Sequence, residues 1–255
     1  MSTQARAPKG VPNGGQWTSA SGVSGSPRTT VMSGDWSGKR SEKKGADVYR
    51  EHSNPSFGDE QRFGFDGKPV PEGTPNDRRF GLTEKEALQS YTGPESAKVN
   101  HGLRRKEEHG GYDERPAAMM DHLMSKAKPL KSDVTVYRGL AQGSSRSQDA
   151  MINDVFGGPI AVGSRFQDKG FLSTSVKPKI ATGFRAGADL ATLESGARYG
   201  GITLRIDVPK GTKALKGTWR AEKELIFNRN SNFVITGIEN LPNGGLGVRV
   251  RMEGP

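Results

Sequence analysis

Val134-Thr135-Val136-Tyr137-Arg138-Gly139 is the stretch at which the hydrophobic period of this chain changes. Val134 and Val136 alternate with Thr135 and Tyr137, the period of a strand with two distinct faces, and Gly139 closes the run. Before it the pattern is helical. Thr83-Glu84-Lys85-Glu86 reads as a capping box opening a helix through Ala87, Leu88 and Tyr91, which Gly93-Pro94 is expected to break. A second helical stretch is predicted over about 95–106, up to Gly110-Gly111. A third is predicted over about 113–126, where Ala117, Met120, Leu123 and Met124 fall near helical spacing, and Pro129 ends it. After residue 134 the period is two. Strands are predicted around Asp168-Lys169-Gly170 within 166–175, over 202–208, 224–227, 232–238 and 246–251, with one more helix over 180–193. Helices first and strands after them predict an α+β fold rather than a doubly wound sheet.

Residues 1–80 contain neither Leu nor Ile, and 29 of them are Gly, Ser or Pro. Such a segment buries too little apolar area to offset the entropy of ordering it, so residues 1–78 are expected to be a disordered tail and 79–255 the folded domain. The chain has no cysteine, which excludes disulfides, thiol nucleophiles and thiolate metal sites. His52, His101, His109 and His122 lack H-E-x-x-H spacing, so no catalytic metal is expected. No apolar run approaches a membrane span, and no apolar stretch follows the N-terminal charges as in a secretory signal. The net charge is +10, spread as 12 basic and 9 acidic residues in 1–80 and 26 and 19 in 81–255. That permits nucleic-acid binding without requiring it, since a solvated basic surface accounts for it equally well.

Three short segments carry candidate chemistry. Arg138 ends a strand, where it is either an exposed edge residue or a guanidinium fork for phosphate and ribose oxygens. Ser173-Thr174-Ser175 is either ordinary strand surface or a set of hydroxyls orienting a site, with Ser173 and Ser175 on one face. Glu222-Lys223-Glu224 is either a solvated charge run or, read as extended chain, a pair of carboxylates sharing one face.

Taken in order, the Arg, the Ser-Thr-Ser and the Glu-x-Glu resemble the R-S-E signature of mono-ADP-ribosyltransferases, specifically the arginine-directed branch. The resemblance spans about 82–252. It is carried by Val134-Thr-Val-Tyr-Arg-Gly139, by Phe166-Gln-Asp-Lys-Gly-Phe-Leu-Ser-Thr-Ser175, and by the helical lead-in Ala87-Leu-Gln-Ser-Tyr-Thr-Gly93. It implies a split β-sandwich around a cleft with N-terminal helices, and NAD as substrate with no metal. It implies that Arg138, with Gly139, contacts the NAD phosphates and ribose. Ser173 would orient the site and hold Glu224, with Thr174 and Ser175 supporting that strand. Glu224 would be the catalytic carboxylate, stabilising the oxocarbenium-like state as nicotinamide leaves. Glu222, two residues earlier, implies arginine as acceptor. Residues 213–221 occupy the place of the acceptor-recognition loop, with Trp219 as its aromatic. Phe184 would stack on nicotinamide and Arg185 would pair with a phosphate. Gly170 stands where some relatives carry a polar NAD-contacting side chain. The expected partners are NAD and a target protein with an accessible arginine. The expected setting is the host cytoplasm, reached from a phage virion or by bacterial secretion, with the protein a monomer. The segment Ala7-Pro-Lys-Gly-Val-Pro-Asn-Gly-Gly-Gln-Trp-Thr18 resembles short segments of phage and actinobacterial proteins.

Overall fold

In the computed structural model, which describes residues 39–64, 66–105, 115–141, 148–186, 200–241 and 245–254, the strand opened by Val134 lies at the middle of a long sheet. The helices are α1 (Lys39–Glu51), α2 (Glu84–Ser90), α3 (Ser96–Arg105), α4 (Arg115–Lys126), α5 (Gln148–Phe156) and α6 (Pro178–Ala186). Two short strands, β1 (Arg62–Phe63) and β2 (Leu82–Thr83), pair with each other. The other strands are β3 (Lys128–Pro129), β4 (Val134–Leu140), β5 (Arg165–Asp168), β6 (Leu172–Ser175), β7 (Ile202–Val208), β8 (Lys213–Lys216), β9 (Glu224–Phe227), β10 (Ser231–Asn240) and β11 (Leu246–Met252). Their spatial order is β3-β8-β9-β6-β4-β7-β11-β10-β5. This is the α+β arrangement expected.

One joint in that order is weak. Strand β4 pairs with β7 from Val134↔Val208 to Leu140↔Ile202, and β6 pairs with β9 from Leu172↔Phe227 to Ser175↔Glu224. Strands β4 and β6 meet only at Tyr137↔Ser175. The sheet therefore divides there into two halves. The period-two pattern explains how both stay buried. On β9, Leu225 and Phe227 enter one core with Val136, Ile206, Phe233 and Val250, while Ile226 enters a second core with Leu215, Phe171 and helices α2 to α4.

The capping box forms as read: the Thr83 hydroxyl accepts from the Glu86 amide, and the Glu86 carboxylate accepts from the Thr83 amide. Glu84, beside it, is buried and answered by His122 and Lys126 of α4 and by the Gly58 amide, which locks α2 onto α4. Gly93-Pro94 does not end the helical run. The chain widens into one π turn, Tyr91–Glu95, with Gly93 at non-helical angles, and continues into α3. A turn of this kind absorbs the break and re-aims the residues around it.

Six elements escaped the sequence reading: α1, α5, β8 and the two-residue strands β1, β2 and β3. Helix α1 lies inside the stretch expected as tail, so the folded part starts before residue 79. Its apolar content is only Ala46, Val48 and Tyr49. Val48 is nonetheless in the core, at 6% exposure, and Gly45 lets the helix approach Val176, whose Cβ lies 3.1 Å from where a Gly45 side chain would begin. Composition hides an element that needs a single core anchor. Strand β8 fell within the expected acceptor loop, and α5 was not anticipated. The motif at 7–18, Trp17, Trp36, His109, the beginning of the third predicted helix and residues 187–193 of the predicted 180–193 helix lie outside the described residues.

Helix α6 rests directly on β4 at Gly139. A side chain there would begin 1.8 Å from the Ala181 carbonyl oxygen and 2.5 Å from the Arg185 amide nitrogen. Backbone on both sides leaves nothing to move aside. Gly139→Ala is expected to lower stability by about 2 kcal/mol or more, read as a shifted urea midpoint at unchanged slope.

Candidate active site

Where the two half-sheets part, a cleft of about 390 Å³ opens, lined by Arg138, Gly139, Ser173, Thr174, Ser175, Phe184, Trp219, Glu222 and Glu224 among others. A second cavity of about 740 Å³ adjoins it and shares Ser96, Arg138 and Ser173 as walls.

Arg138 follows Tyr137, the residue at the joint, so its position is set by the end of β4–β6 pairing. Its Nη1 donates to the Ser173 carbonyl at 3.3 Å. Burial and the nearby Arg104 pull its pKa down, while Asp168 opposes them. Arg104, from α3, grips Asp168 through two bonds of 2.8 and 3.0 Å, and the Gly170 amide donates to the same carboxylate at 2.9 Å. Gly170 makes this possible: a side chain would begin 2.8 Å from Asn100 Oδ1 and 2.9 Å from Arg104 Nη2. Two guanidiniums thus flank one carboxylate, leaving net positive charge between the cavities.

Glu224 opens β9, opposite Ser175. It is buried at 8% exposure, and its Oε2 lies where a Gly217 side chain would start, 1.9 Å away. Only glycine at 217 leaves room for this carboxylate. Burial pushes its pKa up to about 7, helped by Glu222 and countered by the Ser173 hydroxyl and Arg138. Burial also raises the pKa of Glu222.

The Glu-Lys-Glu segment is not extended. Lys223 has φ +46°, in the left-handed region, and the Glu222 amide bonds back to the Trp219 carbonyl at 3.1 Å. The expectation of two carboxylates on one face of a strand is corrected: a turn, not strand alternation, brings both to the cleft. The turn is held from below. The Ser175 hydroxyl donates to the Glu222 carbonyl, and the Val176 amide reaches the Lys223 carbonyl at 3.4 Å. The Lys177 ammonium donates to the Ala221 carbonyl at 3.2 Å. Such anchoring accounts for a lysine in a conformation that L side chains rarely adopt.

The three hydroxyls divide the work. The Ser173 hydroxyl lowers the pKa of Glu224 and of Tyr91, Thr174 donates to the Leu225 carbonyl at 2.7 Å, and Ser175 holds the turn. Phe184 and Trp219 are exposed, at 56% and 60%, and both border the cleft. Arg185 differs from its expected place. It is 3% exposed and does not line the cleft, because its side chain runs beneath α6 against Gly201. On an α-helix, neighbouring residues point about 100° apart, so Phe184 at the cleft turns Arg185 inward.

Tyr91, Asn100, Arg104 and Asp168 were not singled out from the sequence. Tyr91, buried, accepts from Asn100 Nδ2 at 2.9 Å, and Asn100 Oδ1 accepts from the Phe171 amide at 2.8 Å. For Tyr91, Asn100 and Arg104 the available signal was a polar group in a helical stretch, and for Asp168 a carboxylate at a strand end within a quoted motif. Among the described residues no group of three His, Asp or Glu could hold a metal ion.

The family model for the ADP-ribosyltransferase exoenzyme matches residues 75–245. The chain belongs to this family. NAD, the donor in this family's reaction, is therefore a substrate and not a resident cofactor. No curated protein sequence matches the chain. Among solved structures, the ADP-ribosyltransferase Vis in complex with agmatine is 19% identical, with 85% of this chain and 86% of that one covered at a TM-score of 0.51. Plx2a, an ADP-ribosyltransferase toxin from Paenibacillus larvae, is 20% identical over 86% of this chain and 97% of that one, at a TM-score of 0.50. Both share the fold of this exoenzyme-family chain.

The titration of Glu224 has a definite sign. Its folded pKa, about 7, lies above the ordinary 4.5, so the folded state holds a proton that the unfolded state releases between those values. Stability is full below about 4.5 and falls as pH rises through 7. Glu224→Gln removes this loss. The variant is expected to gain on the wild type between pH 5 and pH 8 by at most about 3 kcal/mol in urea denaturation. In the wild type, kcat/KM for nicotinamide release is expected to rise with pH and level off above about 7.

Proposed function

We propose that this protein transfers a single ADP-ribose from NAD to the guanidinium of an arginine in a protein of a recipient cell, releasing nicotinamide. The observation that carries this reading is the meeting of Glu222 and Glu224 in one cleft with Arg138.

The two adjoining cavities suit a dinucleotide. The pyrophosphate would sit at Arg138, with Arg104 beside it, and the nicotinamide ribose would lie against Glu224. Phe184 offers an exposed ring at the cleft for the nicotinamide. When the glycosidic C–N bond breaks, nicotinamide leaves with the electron pair and positive charge develops on the ribose. A preorganised Glu224 carboxylate stabilises that charge more than it does the ground state. The Ser173 hydroxyl beside it favours the ionised carboxylate.

The acceptor follows from Glu222. A guanidinium stays protonated and is a poor nucleophile. A carboxylate at the cleft attracts it, orients it and takes a proton as the new C–N bond forms. Burial raises the affinity of Glu222 for that proton. Trp219, exposed on the same turn, offers a face for the target protein. The agmatine held by Vis carries a guanidinium of this kind. Delivery from a virion or by secretion belongs to the same proposal.

Incubation with labelled NAD and agmatine, with nicotinamide and adduct both measured, tests it. Glu224→Gln is expected to lose about 10²-fold or more in both products. Glu222→Ala is expected to lose the adduct while still releasing nicotinamide into water. A wild type that splits NAD without ever forming an adduct is a glycohydrolase, and the arginine reading fails. Salt-dependent DNA binding that survives loss of both glutamates would support an idle binding protein instead.

A further inference from the structure

The turn that bears Trp219 and Glu222 leaves strand β8 at Lys216, and β8 is poorly protected there. On one side Lys216 pairs with Leu225 of β9. On the other, β3 reaches only from Lys213 to Ala214. Beyond Ala214 no strand continues the sheet among the described residues. The place is taken by side chains of the segment that follows α1. Asn54 Oδ1 accepts from the Lys216 amide at 2.6 Å, and Asn54 Nδ2 donates to the Lys216 carbonyl at 2.9 Å. One carboxamide thereby copies the two bonds of a neighbouring strand residue. His52 Nε2 bonds the Ala214 carbonyl at 2.8 Å. Burial lowers the pKa of His52, which leaves its ring neutral with Nε2 as the donor. The Lys216 ammonium lies over the Tyr49 ring, 4.4 Å from its centroid.

We propose that Asn54 is a positioning residue for the acceptor: by pinning Lys216 it sets the height of the 217–222 turn, and with it Glu222 and Trp219, above the cleft. This inference rests on the arginine-transfer reading. Glu224 does not depend on Asn54 in the same way. It is the first residue of β9, which is paired on both edges, to Lys216 and its neighbours on one side and to β6 on the other. The Thr174 hydroxyl further fixes Leu225 next to it. Release of Lys216 therefore shifts the acceptor turn beyond Gly217, while the Glu224 backbone stays paired to Ser175 of β6 and bonded to the Gly217 amide. The far end of the turn remains held by Ser175 and Val176, so the turn tilts instead of detaching.

The experiment compares wild type, Asn54→Ala and Asn54→Asp with NAD and agmatine, measuring transfer and hydrolysis in the same reaction. Both products scale with the amount of folded enzyme, so their ratio is blind to a partial loss of folding. In Asn54→Ala the ratio of transfer to hydrolysis is expected to fall about tenfold or more, through a raised KM for agmatine, because a displaced acceptor carboxylate no longer meets the guanidinium in line. Asn54→Asp keeps the bond from the Lys216 amide and loses the one to the carbonyl, so its ratio is expected to fall between the two. A wild-type ratio in both variants overturns the inference and leaves the arginine reading intact. A wild type that hydrolyses NAD but never modifies agmatine overturns the arginine reading and this inference with it.

Discussion

A sheet whose halves touch through one residue pair has to open on at least one side of that pair. Here the pair is Tyr137↔Ser175. The twist of each half carries its strands away from the other, and the space between them is the cleft. Every group with candidate chemistry lies close to this joint in the chain or across it. Arg138 follows Tyr137, Ser173 precedes Ser175 by two residues, and Glu224 is the strand partner of Ser175. The hydrogen-bond register of the sheet thus performs the alignment that an active site needs, using elements rigid enough to hold it.

Burying an anion at such a joint requires compensation. Glu224 has a hydroxyl from Ser173 and the field of Arg138 on its side, against burial and the second carboxylate, Glu222. The balance leaves it near neutrality, where small changes in its surroundings change its charge. Arg138 is subject to the opposite pressures: Arg104 disfavours its charge and Asp168 restores it. An anion at Arg138 would relieve this crowding of guanidiniums.

Much of this was legible in the residues. The period change at Val134, the capping box at Thr83 and the strands at 202–208 and 224–227 stand where local pattern puts them, because each is marked within its own residues, by a cap or by the spacing of its apolar side chains. The candidates Arg138, Ser173, Glu222 and Glu224 were marked by their order in the chain, and all four line one cleft. What stayed hidden depends on contacts between distant segments. The left-handed Lys223 is held by β6 and the residues just after it. The π turn at Tyr91 is read only by knowing what surrounds it. Arg185 was assigned by its neighbour's position, yet one step along a helix is enough to turn a side chain from cleft to interior. Helix α1 was obscured by its polar composition, since one valine and one glycine suffice to seat it.

The seat of α1 also bears on where this protein can be cut. The family match begins at residue 75, which invites a fragment starting there. Such a fragment would lack Tyr49, His52 and Asn54, and the outer edge of β8 would lie bare beyond Ala214, at Leu215 and Lys216. An uncovered edge seeks another strand, and the nearest supply in solution is a second molecule. The shortest piece that keeps this edge covered starts no later than Lys39, where α1 begins.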